Sequence, residues 1–348
     1  MKYHPLSWVL LALSIALPGC GSKTTTKTEI DQEFLQNFKV APVVMESGKN
    51  QLSEDKIALG RMLYYDERLS KSQTISCNSC HALDRYGVDN EPTSTGFKGQ
   101  RGGRNAPTVY YAAGHVVQFW DGRAPDVEAQ AAGPIMNPVE MAMADAHAVD
   151  AVLLSIPEYR TAFAKAFPDE KQPITLGNAA LAIAAFERGL VAPSRWDKFL
   201  AGDANALTPE EKEGFIAFYR AGCHTCHGGP LVGGRLYQKV GLVRPWPNQK
   251  DLGRYDVTKQ DSDKMVFKVP SLRNIDKTAP YFHDGSVASL EAAVRMMGEH
   301  QVERPLTDSE AKAIVTWLKC LTGELPMDYI RKPELPKSTD ATPKPAGD

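Results

Sequence analysis

The apolar positions of this chain recur at helical rather than strand spacing, and the clearest runs open on the same signal. In Leu52-Ser53-Glu54-Asp55-Lys56 a Ser precedes two acids, and Ile57, Leu59, Met62 and Leu63 then mark one helical face. Leu207-Thr208-Pro209-Glu210-Glu211 repeats the signal, with Thr208 as cap and Pro209 at the first helical position, before Phe215, Ile216, Phe218 and Tyr219. A third copy, Leu306-Thr307-Asp308-Ser309-Glu310, is a capping box that leads into Ala313, Ile314, Trp317, Leu318 and Leu321 and stops at Gly323. Residues 146–153, 176–190 and 290–298 also read as helices, and 178–186 is apolar enough to be a buried one. No stretch alternates well enough for a sizeable sheet, so the class is mostly α. Residues 30–44 are apolar without clear period and suit a strap lying on a domain, 193–203 suit a linker, and the Pro/Lys/Thr-rich end from 332 is expected to be disordered.

The first two helices lead into one pentapeptide written twice. Cys77-Asn78-Ser79-Cys80-His81 returns as Cys223-His224-Thr225-Cys226-His227. Cys-x-x-Cys-His is the attachment signature of a c-type haem: two thiols form thioethers to the porphyrin vinyl edge, and the His is placed under the iron. A zinc site of two Cys pairs usually spaces them roughly 15–20 residues apart, and these pairs are far wider. Two disulfides would leave both His residues unexplained. A helix before each motif and one closing the second unit describe two tandem cytochrome c-like domains, each with one covalent haem c. The expected boundaries are 1–20 for a leader, 21–50 for tether and strap, 51–195 for the first haem domain, 196–330 for the second, and 331–348 for the tail.

Composition narrows the picture further. The chain of 348 residues is 43% hydrophobic and 24% charged, as in folded soluble proteins. Its formal net charge of -2 speaks against nucleic acid or an anionic membrane surface as partner. The apolar run from Leu6 to Leu17 is shorter than the roughly 20 residues a bilayer span needs. It reads as a secretory signal, and Leu17-Pro18-Gly19-Cys20 reads as a lipoprotein cleavage site with Cys20 lipidated. Export agrees with the haem motifs, because c-type haem is attached outside the bacterial cytoplasm. The expected location is the periplasm, anchored through Cys20.

His81 and His227 take one face of each iron. A His/Met pair raises the potential, and an open face admits substrate. The free candidates are His115, His147, His224, His283, His300 and the ten Met. Spacing alone leaves the choice among them open, and a lone His is more often a surface or core residue than a ligand.

Several further stretches carry a resemblance. Arg104-Asn105-Ala106-Pro107-Thr108-Val109, Gln118-Phe119-Trp120-Asp121-Gly122-Arg123-Ala124, the run from Gln130 to Met141, Val269-Pro270-Ser271-Leu272-Arg273-Asn274 and the run from Thr278 to Ser286 resemble the bacterial dihaem cytochrome c peroxidase family. The match runs in order from about Leu52 to Gly323, and the methylamine-utilisation haem enzymes that oxidise a protein tryptophan share much of it. The resemblance implies a peroxidatic haem on His81 with Glu140 and Gln130 over its open face, Pro134 shaping that pocket. It implies an electron-entry haem on His227 with Met297 as axial ligand. Met296 beside it is the main competitor and Met265 a distant one. Trp120 would lie between the haems and His283 beside the second. A calcium ion would take the Asn105 side chain and the carbonyls of Thr278 and Pro280. The substrate would be hydrogen peroxide, and the electron donor a small cytochrome c or a cupredoxin. Members of the family are often homodimers, and no interface is legible here.

One position departs from the family pattern. Where many members carry a His that closes the peroxidatic iron, in a Ser-x-Gly-His stretch, this chain reads Ser94-Thr95-Gly96-Phe97-Lys98. Phe97 has no atom that binds iron, so the first haem is expected to stay open without reductive activation. The tryptophan-oxidising relatives also keep that haem open, but carry Tyr where Met297 stands. The alternatives are therefore a protein- or tryptophan-modifying oxidase on the same scaffold and a dihaem electron carrier. A pure carrier has no use for an acid over an open face. Cys320 is left over as a buried, inert thiol.

Overall fold

The computed structural model describes Met1 and residues 29–302 and 304–346. The expected leader, apart from Met1, and the expected lipidation site at Cys20 lie outside the described residues.

All three repeated start signals cap helices. Ser53 caps α1 (Glu54–Tyr65) by accepting from the Lys56 amide at 3.2 Å. After α1 come α2 (Val127–Met136), α3 (Ala146–Leu154), α4 (Pro157–Ala166), α5 (Leu176–Glu187) and α6 (Arg195–Leu200). Thr208 caps α7 (Pro209–Arg220), and α8 (Leu290–His300) leads to α9 (Asp308–Leu318), where Thr307 and Glu310 form the capping box. The sequence pattern missed α2 and α4; α2 is built from Ala, Gly and an interior Pro134 rather than a bulky apolar stripe. Among the described residues the sheet content is small: β1 (Tyr237–Lys239) pairs antiparallel with β2 (Val266–Lys268), Tyr237 opposite Lys268.

Two cores organise these helices. The first packs α1 against α4 and α5, with α2 on α5, around Leu59, Leu63, Ile183 and Phe186. The second packs α7 against α9, with α8 on α9, around Trp196, Phe215 and Trp317. The strap crosses both: Ile30 and Phe38 are buried in the second core, whereas Met45 is buried in the first and its amide donates to the Arg188 carbonyl at 2.9 Å.

Two expectations need correction. The segment 193–203 is not a free linker, because its α6 places Trp196 fully buried in the second core. There Asp197 holds the buried Arg273 guanidinium at 2.5 Å. The segment from 332 to 346 is not disordered but returns to the first core. Thr339 Oγ1 donates to the Ser155 carbonyl (2.9 Å), Gln73 Nε2 to the Pro343 carbonyl (2.8 Å), and the Ala346 amide to the Lys71 carbonyl (2.9 Å). In both segments local composition reads as loop, and distant partners supply the order.

Candidate active site

The first pentapeptide forms one helical turn, Cys77–Cys80, with Ser76 and Ser79 capping each other. His81 ends the turn; its carbonyl accepts from Tyr64 Oη (2.8 Å), and its Nδ1 lies 3.3 Å from the Gly87 carbonyl. The second forms a tighter turn, Cys223–Thr225, entered through Gly222 at φ +83°. His227 Nδ1 is buried near the carbonyls of Val232 and Pro270, without a well-formed hydrogen bond. Burial pushes the His227 imidazole down to about 4, so it stays neutral, as an iron ligand must be. The four motif cysteines form no disulfide, and no cluster of three or more His, Cys, Asp or Glu suited to a metal occurs among the described residues.

Each pentapeptide opens on its own cavity. The first, of about 670 Å³, is lined by Cys77, Cys80 and His81 and by Gln130, Pro134 and Glu140. The second, of about 310 Å³, is lined by Cys223, Cys226 and His227 and by Met297, Thr278 and Pro280. Both volumes fall within the range of cofactor sites, roughly 300–1,000 Å³. Paired thiols and a buried imidazole on each wall fit a covalently held haem. Asn105, His115, Trp120 and Lys268 line both cavities and so form a shared wall.

Sequence spacing explains the first cavity's far side. Val127, Gln130, Ala131 and Pro134 share one face of α2, and all four line the cavity. After α2 the chain folds back: the Glu140 amide donates to the Asn137 carbonyl (3.0 Å) and the Met141 amide to the Pro134 carbonyl (3.1 Å). This turn carries Glu140 to the cavity, where Asn137 Nδ2 donates to its Oε1 at 2.9 Å. Burial raises the pKa of Glu140, while the Arg123 charge and the Asn137 hydrogen bond oppose the rise.

The loop bearing Phe97 is packed behind this turn. The Phe97 amide donates to the Glu140 carbonyl at 2.8 Å, and a Cβ on Gly96 would fall 2.0 Å from the Val139 oxygen. The Phe97 ring is buried, with Lys71 Nζ at 5.4 Å from its centre, and Ser94 and Gly96, not Phe97, line the cavity.

On the shared wall Trp120 Nε1 donates to the Asn105 carbonyl at 2.9 Å. Asn105 Nδ2 donates to the Glu91 carbonyl at 3.0 Å. Met297 and Met296 both pack against the cluster of Trp246, Met265 and Phe267, but of the two Met297 lines the second cavity. His283 lines the second cavity too, stacked on Phe267 at 4.3 Å. The remaining His candidates stand elsewhere: His224 stacks on Tyr219, His300 packs edge-on against Trp246, and His147 is exposed. Cys320 is buried, and burial pushes its thiol up.

Sequence reasoning missed Arg123, Asn137, Lys268 and Glu187 around these cavities. A buried Lys or Glu carries no local signal, because both types are usually solvated. Asn137, three residues before Glu140, was the most legible of the four.

The chain is similar to several known proteins. Residues 54–205 match the family described as di-haem cytochrome c peroxidase. A cytochrome c551 peroxidase of Nitrosomonas europaea is 49% identical over 88% of this chain and 90% of its own length. One from Pseudomonas aeruginosa is 45% identical over 89% and 90%. A methylamine utilization protein of Methylorubrum extorquens is 30% identical over 95% and 97%. The crystal structure of a MauG-like protein associated with microbial copper homeostasis superposes with a TM-score of 0.76, at 33% identity over 85% of this chain and 97% of that one.

Proposed function

This chain belongs to the di-haem cytochrome c peroxidase family, and from that premise we propose that it reduces hydrogen peroxide to two waters in its first cavity, with two electrons and two protons per turnover, ready without prior reduction. The observation that carries the proposal is Glu140, a partly buried acid in the cavity that begins at His81.

Cys77 with Cys80, and Cys223 with Cys226, would hold two haems c, with His81 and His227 as iron ligands and Met297 closing the second. Bound there, the haems supply the electrons that break the O–O bond. Glu140 moves the proton: it takes it from one peroxide oxygen and returns it to the other, which then leaves as water. Asn137 holds the Glu140 carboxyl in one orientation, and Gln130 donates its amide to orient the peroxide. Of the two neighbouring methionines, Met297 lines the second cavity and Met296 does not, which supports Met297 as the residue that would bind the second iron opposite His227. Trp120, fixed by the Asn105 carbonyl, is the ring lying between the two cavities. Asn105 turns its amide nitrogen to Glu91, which leaves its oxygen for a calcium ion that Thr278 and Pro280 would share.

The Phe97 loop supports the unactivated state. Phe97 offers no iron ligand, and the Glu140 carbonyl already fastens its amide. The enzyme would work in the periplasm, with electrons from a small cytochrome c or a cupredoxin. Among the described residues no helix is long and apolar enough to cross a membrane.

Two measurements test the reading. Steady-state peroxide consumption with reduced cytochrome c should fall at least about 100-fold in Glu140→Gln, the usual range for a proton-transfer group; unchanged turnover removes Glu140 from the mechanism. Electron paramagnetic resonance of the oxidised protein as isolated should contain a high-spin haem signal. Two low-spin haems would sink the unactivated state.

A further inference from the structure

The wall between the cavities holds a cation that the peroxidase reading leaves unused. Lys268 ends β2, its amide donates to the Trp120 carbonyl at 2.8 Å, and the residue is only 5% exposed. A buried ammonium is costly without an anionic partner. The acid whose charge reaches Lys268 is Asp121, which is already bound by Arg104 (2.5 Å) and Arg123 (3.0 Å). Lys268 Nζ instead lies 3.1 Å from His115 Nδ1.

The chemistry of the pair fixes its protons. Burial pushes Lys268 down to about 8, so below that pH it is an ammonium that only donates, His115 Nδ1 accepts, and the neutral ring carries its proton on Nε2. Burial and the Lys268 charge both hold His115 well below its ordinary pKa, in the neutral form. Its Nε2 is buried without a hydrogen-bond partner. The ring is seated over Gly234 at φ +75°, where a Cβ would fall 2.4 Å from Cδ2. The wall thus presents an ammonium with protons to spare and an unpaired imidazole N–H, and both side chains line both cavities.

A c-type haem carries two propionate carboxylates, the acceptors such a group of donors requires. We infer that Lys268 and His115 form a carboxylate clamp that binds a propionate of one haem at the wall between the cavities. The inference rests on the haem reading above. The source is the first haem or the second, and the positive charge of the clamp stabilises the reduced form of the haem it holds.

The test uses the full holoprotein as wild type, Lys268→Met, Lys268→Arg and His115→Gln. Haem content by mass comes first; fewer than two haems in wild type overturns the haem reading and this inference with it. Spectroelectrochemical titration then gives each potential, and resonance Raman the propionate bending modes. Lys268→Met should lower one potential by about 59 mV, a tenfold change in a one-electron equilibrium, and shift one propionate band; Lys268→Arg should keep both near wild type. The haem that responds identifies the source. His115→Gln should shift the same band without changing spin state, and carries the test if Lys268→Met does not accumulate. Unmoved potentials and bands in a two-haem Lys268→Met protein overturn the clamp. So does a spin-state change in His115→Gln, which would make His115 an axial ligand instead.

Discussion

Glu140 and Glu187 both line the first cavity, and burial pushes both toward the neutral acid. Their neighbours differ. Arg123 and Asn137 draw Glu140 back toward the carboxylate, as the proton transfer proposed for it would require. Glu187 also meets the charge of Glu128, with only Arg188 in opposition, and is pushed from 4.5 up to about 8. Because the folded value lies above the unfolded one, the stability tied to Glu187 is fully present below pH 4.5 and is lost as the pH rises through about 8. Thermal melts of wild type and Glu187→Gln should therefore nearly coincide at pH 4 and separate by pH 8, with the Gln variant the more stable there. Parallel curves at all pH values would mean that Glu187 is ionised in the fold.

The helices that precede the two pentapeptides share a contact device as well as a start signal. Gly60 brings α1 so close to α5 that a Cβ would fall 1.8 Å from the Ala182 oxygen. Gly214 does the same between α7 and α9, with 2.1 Å to the Ala313 oxygen. An exposed helical Gly→Ala change gains up to about 1 kcal/mol from propensity. Here the added methyl meets backbone, which has no rotamer to yield. Gly214→Ala should cost about 1–3 kcal/mol in urea unfolding, and the sign alone decides: a stabilised variant would mean that α7 and α9 do not cross this closely.

Across the whole molecule, segments remote in sequence tie the two cores together. The strap from Ile30 to Met45 touches both, and the chain's end returns to Lys71 and Ser155. Beside the second core another tie between remote segments is polar: Arg273 binds Asp197 with two nitrogens (2.5 and 2.9 Å) and donates to the Ser194 hydroxyl and the Pro230 carbonyl. Arg273 is 1% exposed, so its loss strands a buried carboxylate. Arg273→Met should cost about 3–5 kcal/mol by chemical denaturation. A cost below about 1 kcal/mol, the range of surface pairs, would show that water reaches Asp197.

The parts legible in the sequence were those that local chemistry sets. Ser53, Thr208 and Thr307 announce their helices because a cap bonds within three residues of itself. The Cys-x-x-Cys-His pairs announce their cofactor because thioether spacing is local. Gln130, Pro134 and Glu140 were legible only through the family resemblance; α2 sets the first two on one face, and Glu140 joins them through a turn that no period describes. What stayed hidden depends on groups far apart in the chain. Lys268 meets His115, Arg273 meets Asp197, and a Pro- and Lys-rich tail becomes ordered only because a surface is there to receive it. The pentapeptides and the caps can be read from neighbouring residues, since each is a bond within a few positions, whereas Phe97 stands out only against the pattern of the family that the chain resembles. Which buried charges face each other across the wall between the cavities depends on how the two cores close, since burial and pairing are properties of the packed whole.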